Sequence, residues 1–226
     1  MTRGRYIVAG LLLIIGVSLA AQPRLRTPEI YVGAHAGVLA SMVYFSPTIE
    51  GIEPLTAPLS PNGGLVFRYA GHKVCGLQVE VNYMQRGWHE GIAATDSTAG
   101  VDYRRQLHYI EVPFLMHLYF GNEHWRGFFN LGPQIGYCFL DKQSGMKSTT
   151  STHQYEEIQR PFDWGVAGGL GFYYRNSRVG IFQLEARFNY SMGAIYRTHL
   201  GDNFSFANPM DLSLNIAYMW QVRVKR

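Results

Sequence analysis

Few groups in this chain are spaced for catalysis or ligation. Of the eight histidines, His108 comes nearest to a ligand pair, with Glu111 three residues on. On an extended chain that spacing points the two side chains to opposite faces. His89-Glu90 lacks the second histidine of a helical zinc motif. His35, His72, His117, His124, His153 and His199 are dispersed. Cys75 and Cys138 are too few for a four-thiolate zinc site or a disulfide-dense scaffold. They fall toward opposite ends of two extended segments, roughly a membrane thickness apart, whereas a disulfide needs Cα atoms within about 7 Å. No bond between them is expected. Gly165–Gly171 is glycine-rich but has neither the spacing nor the strand–loop–helix setting of a phosphate loop. His89, Asp96 and Ser97 share one polar stretch and make the best case for a hydrolytic group, which is a thin one. We expect no enzyme, no catalytic residue, no bound metal and no cofactor.

The remaining chemistry is charge at alternate positions. Glu80, Glu111, Asp163, Glu185, Arg187 and Asp211 each sit on the polar side of an alternating segment. Enclosed charges are tolerable only when paired or hydrated. Arg187 reads as the one strong cation among several carboxylates. It is expected to pair with Glu80, Glu111 or Glu185 in a structural polar network.

The elements that must hold these residues repeat with period two. Phe182, Leu184, Ala186, Phe188 and Tyr190 alternate with Gln183, Glu185, Arg187 and Asn189. Leu77, Val79, Val81 and Tyr83 alternate with Gln78, Glu80 and Asn82. Ile110–Phe120 and Leu212–Val222 behave alike, and weaker rows run over Ile30–Phe45, Gly63–Tyr69, Phe128–Leu140 and Phe162–Tyr174, with glycine on much of the second face. Such rows are strands with one greasy and one wet face. They make eight. Long polar connections (46–61, 89–102, 141–161, 192–209) alternate with short ones (70–74, 121–125, 175–179). Long–short alternation is the pattern of an all-β, eight-stranded antiparallel up-and-down barrel, with both termini on the short-turn side.

Composition narrows the solvent. The 226 residues are 47% hydrophobic but only 16% charged, and the net charge of +4 is scattered, which argues against a nucleic-acid partner. Arg3 and Arg5, a 13-residue apolar run over Ile7–Leu19 and the small residues Ala20-Ala21 read as a secretory signal peptide over 1–21, leaving 22–226 as the barrel. That apolar run is shorter than the roughly 20 residues of a spanning helix. A soluble eight-stranded barrel would turn its apolar face inward, and an outer-membrane barrel would turn it to lipid. Bulky apolar rows opposed by charge and glycine favour the membrane. So do aromatics clustered at strand ends: Tyr44, Phe45, Tyr83, Trp88, Tyr137, Phe139, Phe162, Trp164 and Tyr190 on the loop side, and Tyr69, Phe120, Trp125, Phe172, Tyr174 and Trp220 on the turn side. The expected location is a bacterial outer membrane, with periplasmic termini and outer-membrane lipid as the surrounding partner.

The chain also resembles the PorT-type outer-membrane β-barrel proteins of Bacteroidetes-type bacteria. The resemblance is carried by Tyr31–Gly37, Gln78–Trp88, Tyr109-Ile110-Glu111-Val112-Pro113-Phe114-Leu115 and Asn130-Leu131-Gly132-Pro133. It implies the barrel fold and, since PorT is linked to type IX protein secretion, a role with secretion-system or envelope proteins. Val222–Arg226 departs from an aromatic C-terminal ending, which leaves Trp220 as the last girdle residue. Function is expected in the loops. In 46–61, Ile49, Ile52, Leu55 and Leu59 lie among four prolines. They offer a partner surface or pack over the barrel mouth. The alternatives are a narrow solute channel, which a side-chain-filled eight-stranded barrel disfavours, and an outer-membrane enzyme.

Overall fold

The computed structural model describes residues 24–46, 59–92, 101–146, 158–176, 178–193 and 206–222. The signal peptide expected over 1–21 lies outside them, as do Ile49, Ile52 and Leu55. Eight strands follow in order: β1 (Arg24–Ser46), β2 (Ser60–His72), β3 (Cys75–Ile92), β4 (Val101–Gly121), β5 (Trp125–Met146), β6 (Phe162–Asn176), β7 (Gly180–Ser191) and β8 (Phe206–Val222). Each pairs antiparallel with the next, and β8 closes on β1 from Ile30↔Val222 to Ser46↔Phe206. Closure leaves no open sheet edge at the depth of the ring, the condition for a sheet to cross a membrane.

Burial decides which way the two faces point. On β7, Gln183, Glu185, Arg187 and Asn189 are each no more than 4% exposed, while Phe182 and Phe188 between them are 48% and 43% exposed. On β8, Asp211, Ser213 and Asn215 are buried and Leu212, Leu214 and Ile216 are exposed. A soluble barrel shows the reverse. The polar residues are the interior here, and the apolar rows form the outer wall.

The lumen is packed in layers. Leu39, Met84, Trp88, Tyr103 and Leu107 belong to a buried apolar cluster toward the long-loop side. Tyr31, Tyr119, Phe128, Tyr173 and Met219 belong to a second toward the short turns. Charged side chains lie between them. Trp88 therefore corrects the girdle expectation: an even position on β3, it shares the lumen face with Glu80 and Arg86 and is only 3% exposed. Of the other expected girdle aromatics, Tyr83, Tyr137, Phe139, Phe162 and Trp164 on one side and Tyr69, Phe120, Trp125, Phe172 and Trp220 on the other are exposed, Tyr190 and Tyr174 are half-buried, and the side chains of Tyr44 and Phe45 lie outside those described.

The strands outrun their expected ends on the long-loop side. β3 and β4 stay paired to Ile92↔Val101, and β4 and β5 to Asp102↔Met146. The stretches expected as loops over 89–102 and 141–161 are thus strand at their ends. Above the bilayer the outer face of β4 turns from lipid to water and carries Asp102, Arg104 and Gln106, while Tyr103, Arg105 and Leu107 stay buried inside, so the apolar-out pattern that marks a strand in lipid is lost. A bulge adds Phe139 to β5, because Tyr109 pairs with Cys138 while His108 pairs with Leu140.

Candidate functional site

The alternation carries charged side chains of seven strands, β2 to β8, toward the interior. Arg187 on β7 reaches Glu80 on β3 through two parallel contacts, Nη1–Oε2 at 2.5 Å and Nη2–Oε1 at 2.7 Å. It also donates to its neighbour Glu185, from Nη2 at 2.9 Å and Nε at 3.0 Å. Glu80 further accepts from Asn82 Nδ2 at 2.8 Å and from Gln78. Glu185 accepts from Gln183 Nε2 and Asn130 Nδ2, both at 3.0 Å. His35 Nε2 lies 3.7 Å from Glu80 and is hydrogen-bonded to Asn82 Oδ1 at 2.7 Å. Fork-shaped, charge-assisted pairs of this kind are the strongest side-chain hydrogen bonds. Gly169 makes room for them: a Cβ there would lie 2.2 Å from Glu185 Oε1.

Glu111 and Asp163 belong to a different cation. Arg86 on β3 holds Glu111 at 2.6 Å, Asp163 at 3.1 Å and Asp211 through Nε, and its guanidinium lies 4.9 Å from the centre of the Tyr109 ring. Ser191 Oγ donates to Asp163 at 2.5 Å. The expectation that Arg187 is the single strong cation is therefore corrected. Arg68, Arg86 and Arg105 are each 1% exposed in the same interior. Arg68 donates to Gln78 and Gln183 and stacks near Phe128 and Tyr173. Arg105 forks onto Asp141 at 2.9 and 2.5 Å and lies over Trp88. These arginines occupy the same inward-facing rows as the carboxylates, but Arg68 and Arg86 sit near the ends of short alternating runs. Arg68 lies within the alternating row Gly63–Tyr69, and two further steps along the polar row of β3 beyond Asn82 reach Arg86.

The candidate hydrolytic group is not assembled in the described residues. His89 is hydrogen-bonded to Asp102 at 2.8 Å on the outer face, and Asp96 and Ser97 lie outside the described residues. Glu111 points inward, while His108 points outward and is hydrogen-bonded to the Tyr83 hydroxyl at 2.7 Å. Cys75 and Cys138 are buried and unbridged. Leu59 stands just before β2 and is 69% exposed. Among the described residues, no group of three His, Cys, Asp or Glu side chains is placed to hold a metal. A cavity of about 800 Å³ opens at the turn end beside Glu29, Tyr119, Arg126 and Arg175. Another of about 380 Å³ lies by Cys138 and Ile158. Neither is lined by Arg86, Arg187 or their carboxylate partners.

A ring of eight strands with a lipid-ready wall and a charged, filled interior is the geometry of a small outer-membrane barrel. Residues 20–197 match the outer membrane protein beta-barrel domain family. The chain belongs to that family, and its place is the bacterial outer membrane. This barrel is also similar in shape to three solved outer-membrane proteins. OprG of Pseudomonas aeruginosa is 14% identical, with 85% of this chain and 95% of that one covered and a TM-score of 0.46. Outer membrane protein W of E. coli is 15% identical, with 86% and 98% covered and a TM-score of 0.46. Ail, the attachment invasion locus protein of Yersinia pestis, is 14% identical, with 85% and 99% covered and a TM-score of 0.43. No curated protein matches the chain.

Proposed function

We propose that this outer-membrane barrel is a non-enzymatic, non-conducting scaffold that serves protein secretion or envelope assembly through its external rim and loops. The observation that carries the reading is the Arg187–Glu80 pair, which joins β7 to β3 across the lumen. Apolar layers above and below it favour a strut inside a packed core over a conduit. A narrow solute channel would need these pairs to part, which leaves buried charges unpaired. The secretion side of the proposal is supported by the PorT-type resemblance of Tyr31–Gly37, Gln78–Trp88, Tyr109–Leu115 and Asn130–Pro133. The rim supplies the surface: β3, β4 and β5 continue as a paired ribbon up to Ile92, Val101 and Met146, and a rigid scaffold presenting variable edges is a common way to build a binding site.

The test is recovery of a tagged copy from native outer membranes in mild detergent, with mass spectrometry of co-purifying proteins. Stoichiometric secretion or envelope components, lost when the 46–61 or 141–161 segment is replaced, are the expected result. A barrel recovered alone, with replacement of both segments leaving secretion unchanged, would overturn the proposal.

A further inference from the structure

The ribbon of β3, β4 and β5 sorts its charges by face. Glu90, Arg105 and Asp141 turn inward, and Arg105 holds Asp141 in a two-pronged pair. Arg104 and Lys142 turn outward and are exposed. The register makes them diagonal neighbours, since Arg104 pairs with Ser144 and Gln106 with Lys142. Asp102, also on the outer face, is hydrogen-bonded to His89 at 2.8 Å. Among the described residues neither Arg104 nor Lys142 forms an ion pair.

Directly below them the lipid belt ends. Tyr83 and His108 are hydrogen-bonded at 2.7 Å, with the Phe139 ring 6.4 and 6.2 Å from theirs. Tyr137, Phe139 and Leu140 are exposed beside them. Ile110 tops the apolar row of β4. At about 3.3 Å per residue and a tilt of about 40°, Lys142 stands roughly 10 Å and Arg104 roughly 15 Å above that edge. Long flexible stems let both cations reach back toward the headgroups. A guanidinium also matches a phosphate with two parallel hydrogen bonds.

We propose that Arg104 and Lys142 form a docking site for the phosphorylated sugar headgroup of an outer-leaflet lipopolysaccharide. The charges are complementary, and the site is continuous with the belt that already meets the acyl chains. An anionic leaflet beside a basic patch is a recurrent source of lipid preference. The proposal is independent of the secretion reading, because it concerns the membrane and no partner protein.

The test is native mass spectrometry of the full barrel in zwitterionic detergent, titrated with phosphorylated lipid A. Wild type should bind phosphorylated lipid A at least tenfold better than the same lipid after dephosphorylation. Arg104→Ala with Lys142→Ala should weaken binding about 30-fold, the loss expected from two basic groups at a charged leaflet. The exchange pair Arg104→Lys with Lys142→Arg should keep most of it, and Arg178→Ala at the opposite rim should change nothing. Heat-modifiable mobility on gels establishes that each variant is folded. Equal binding of both lipid A forms, or of wild type and the double alanine variant, would overturn the site. Displacement by inorganic phosphate at the same concentration as the lipid would assign a free anion and overturn the lipid.

Discussion

Arg187 and Glu80 sit on strands four places apart in a ring of eight, and their paired 2.5 and 2.7 Å contacts brace opposite walls of the barrel. The same carboxylate is held by neighbours on its own strand, Gln78 and Asn82. A second brace, Arg86, binds Glu111, Asp163 and Asp211 from three other strands. Together they tie β3 to β4, β6, β7 and β8.

Removing one end of the first brace should be costly. Arg187→Met strands Glu80 and Glu185 as buried charges, a loss of about 3–5 kcal/mol. Replacing all three residues with apolar side chains of similar volume should recover most of that. Urea unfolding of the barrel in lipid vesicles measures both. An Arg187→Met barrel as stable as wild type would refute the brace.

Gly169 sets the position of Glu185. A Cβ would lie 2.2 Å from Glu185 Oε1 and 3.3 Å from its Cγ. Gly169→Ala should therefore cost about 1–3 kcal/mol, the usual range for overpacking. The cost should shrink in a Glu185→Ala background. A double-mutant cycle in the same unfolding assay checks the coupling, and strict additivity would show that the two residues act independently.

The outer wall makes a depth-dependent prediction. Ile216 lies midway along the exposed row of β8, and Phe120 lies at the turn-side end of β4. Ile216→Arg should destabilise by about 2–4 kcal/mol and Phe120→Arg by at most about 1 kcal/mol. Equal costs would show that the row does not cross the bilayer as described.

How much of this could be read from the residues follows from where solvent differs across a strand. Between lipid and lumen the two faces meet opposite environments, so Leu212–Val222 and Phe182–Tyr190 show their alternation in the sequence. Glu80, Glu111, Asp163, Glu185 and Arg187 could be placed in the lumen for that reason. Above the membrane the outer face meets water instead of lipid and turns polar, while the inner face stays buried, and the apolar-out pattern is lost. That hid the strand character of 89–92 and 141–146, and with it Arg105. Trp88 has the residue type of an interfacial girdle, but its even position on β3 sets it on the lumen face. The choice of partners was not legible either. Arg187 takes Glu80 and Glu185, whereas Glu111 goes to Arg86, and which carboxylate meets which arginine depends on strand stagger around the closed ring.

Planar-bilayer recording of the purified barrel tests whether side chains close the lumen. Wild type should give no stepwise conductance above the bare bilayer, because the apolar layers around Tyr103 and Tyr119 close the lumen on either side of the charged braces. Steady unitary currents through the wild-type barrel would contradict that closure.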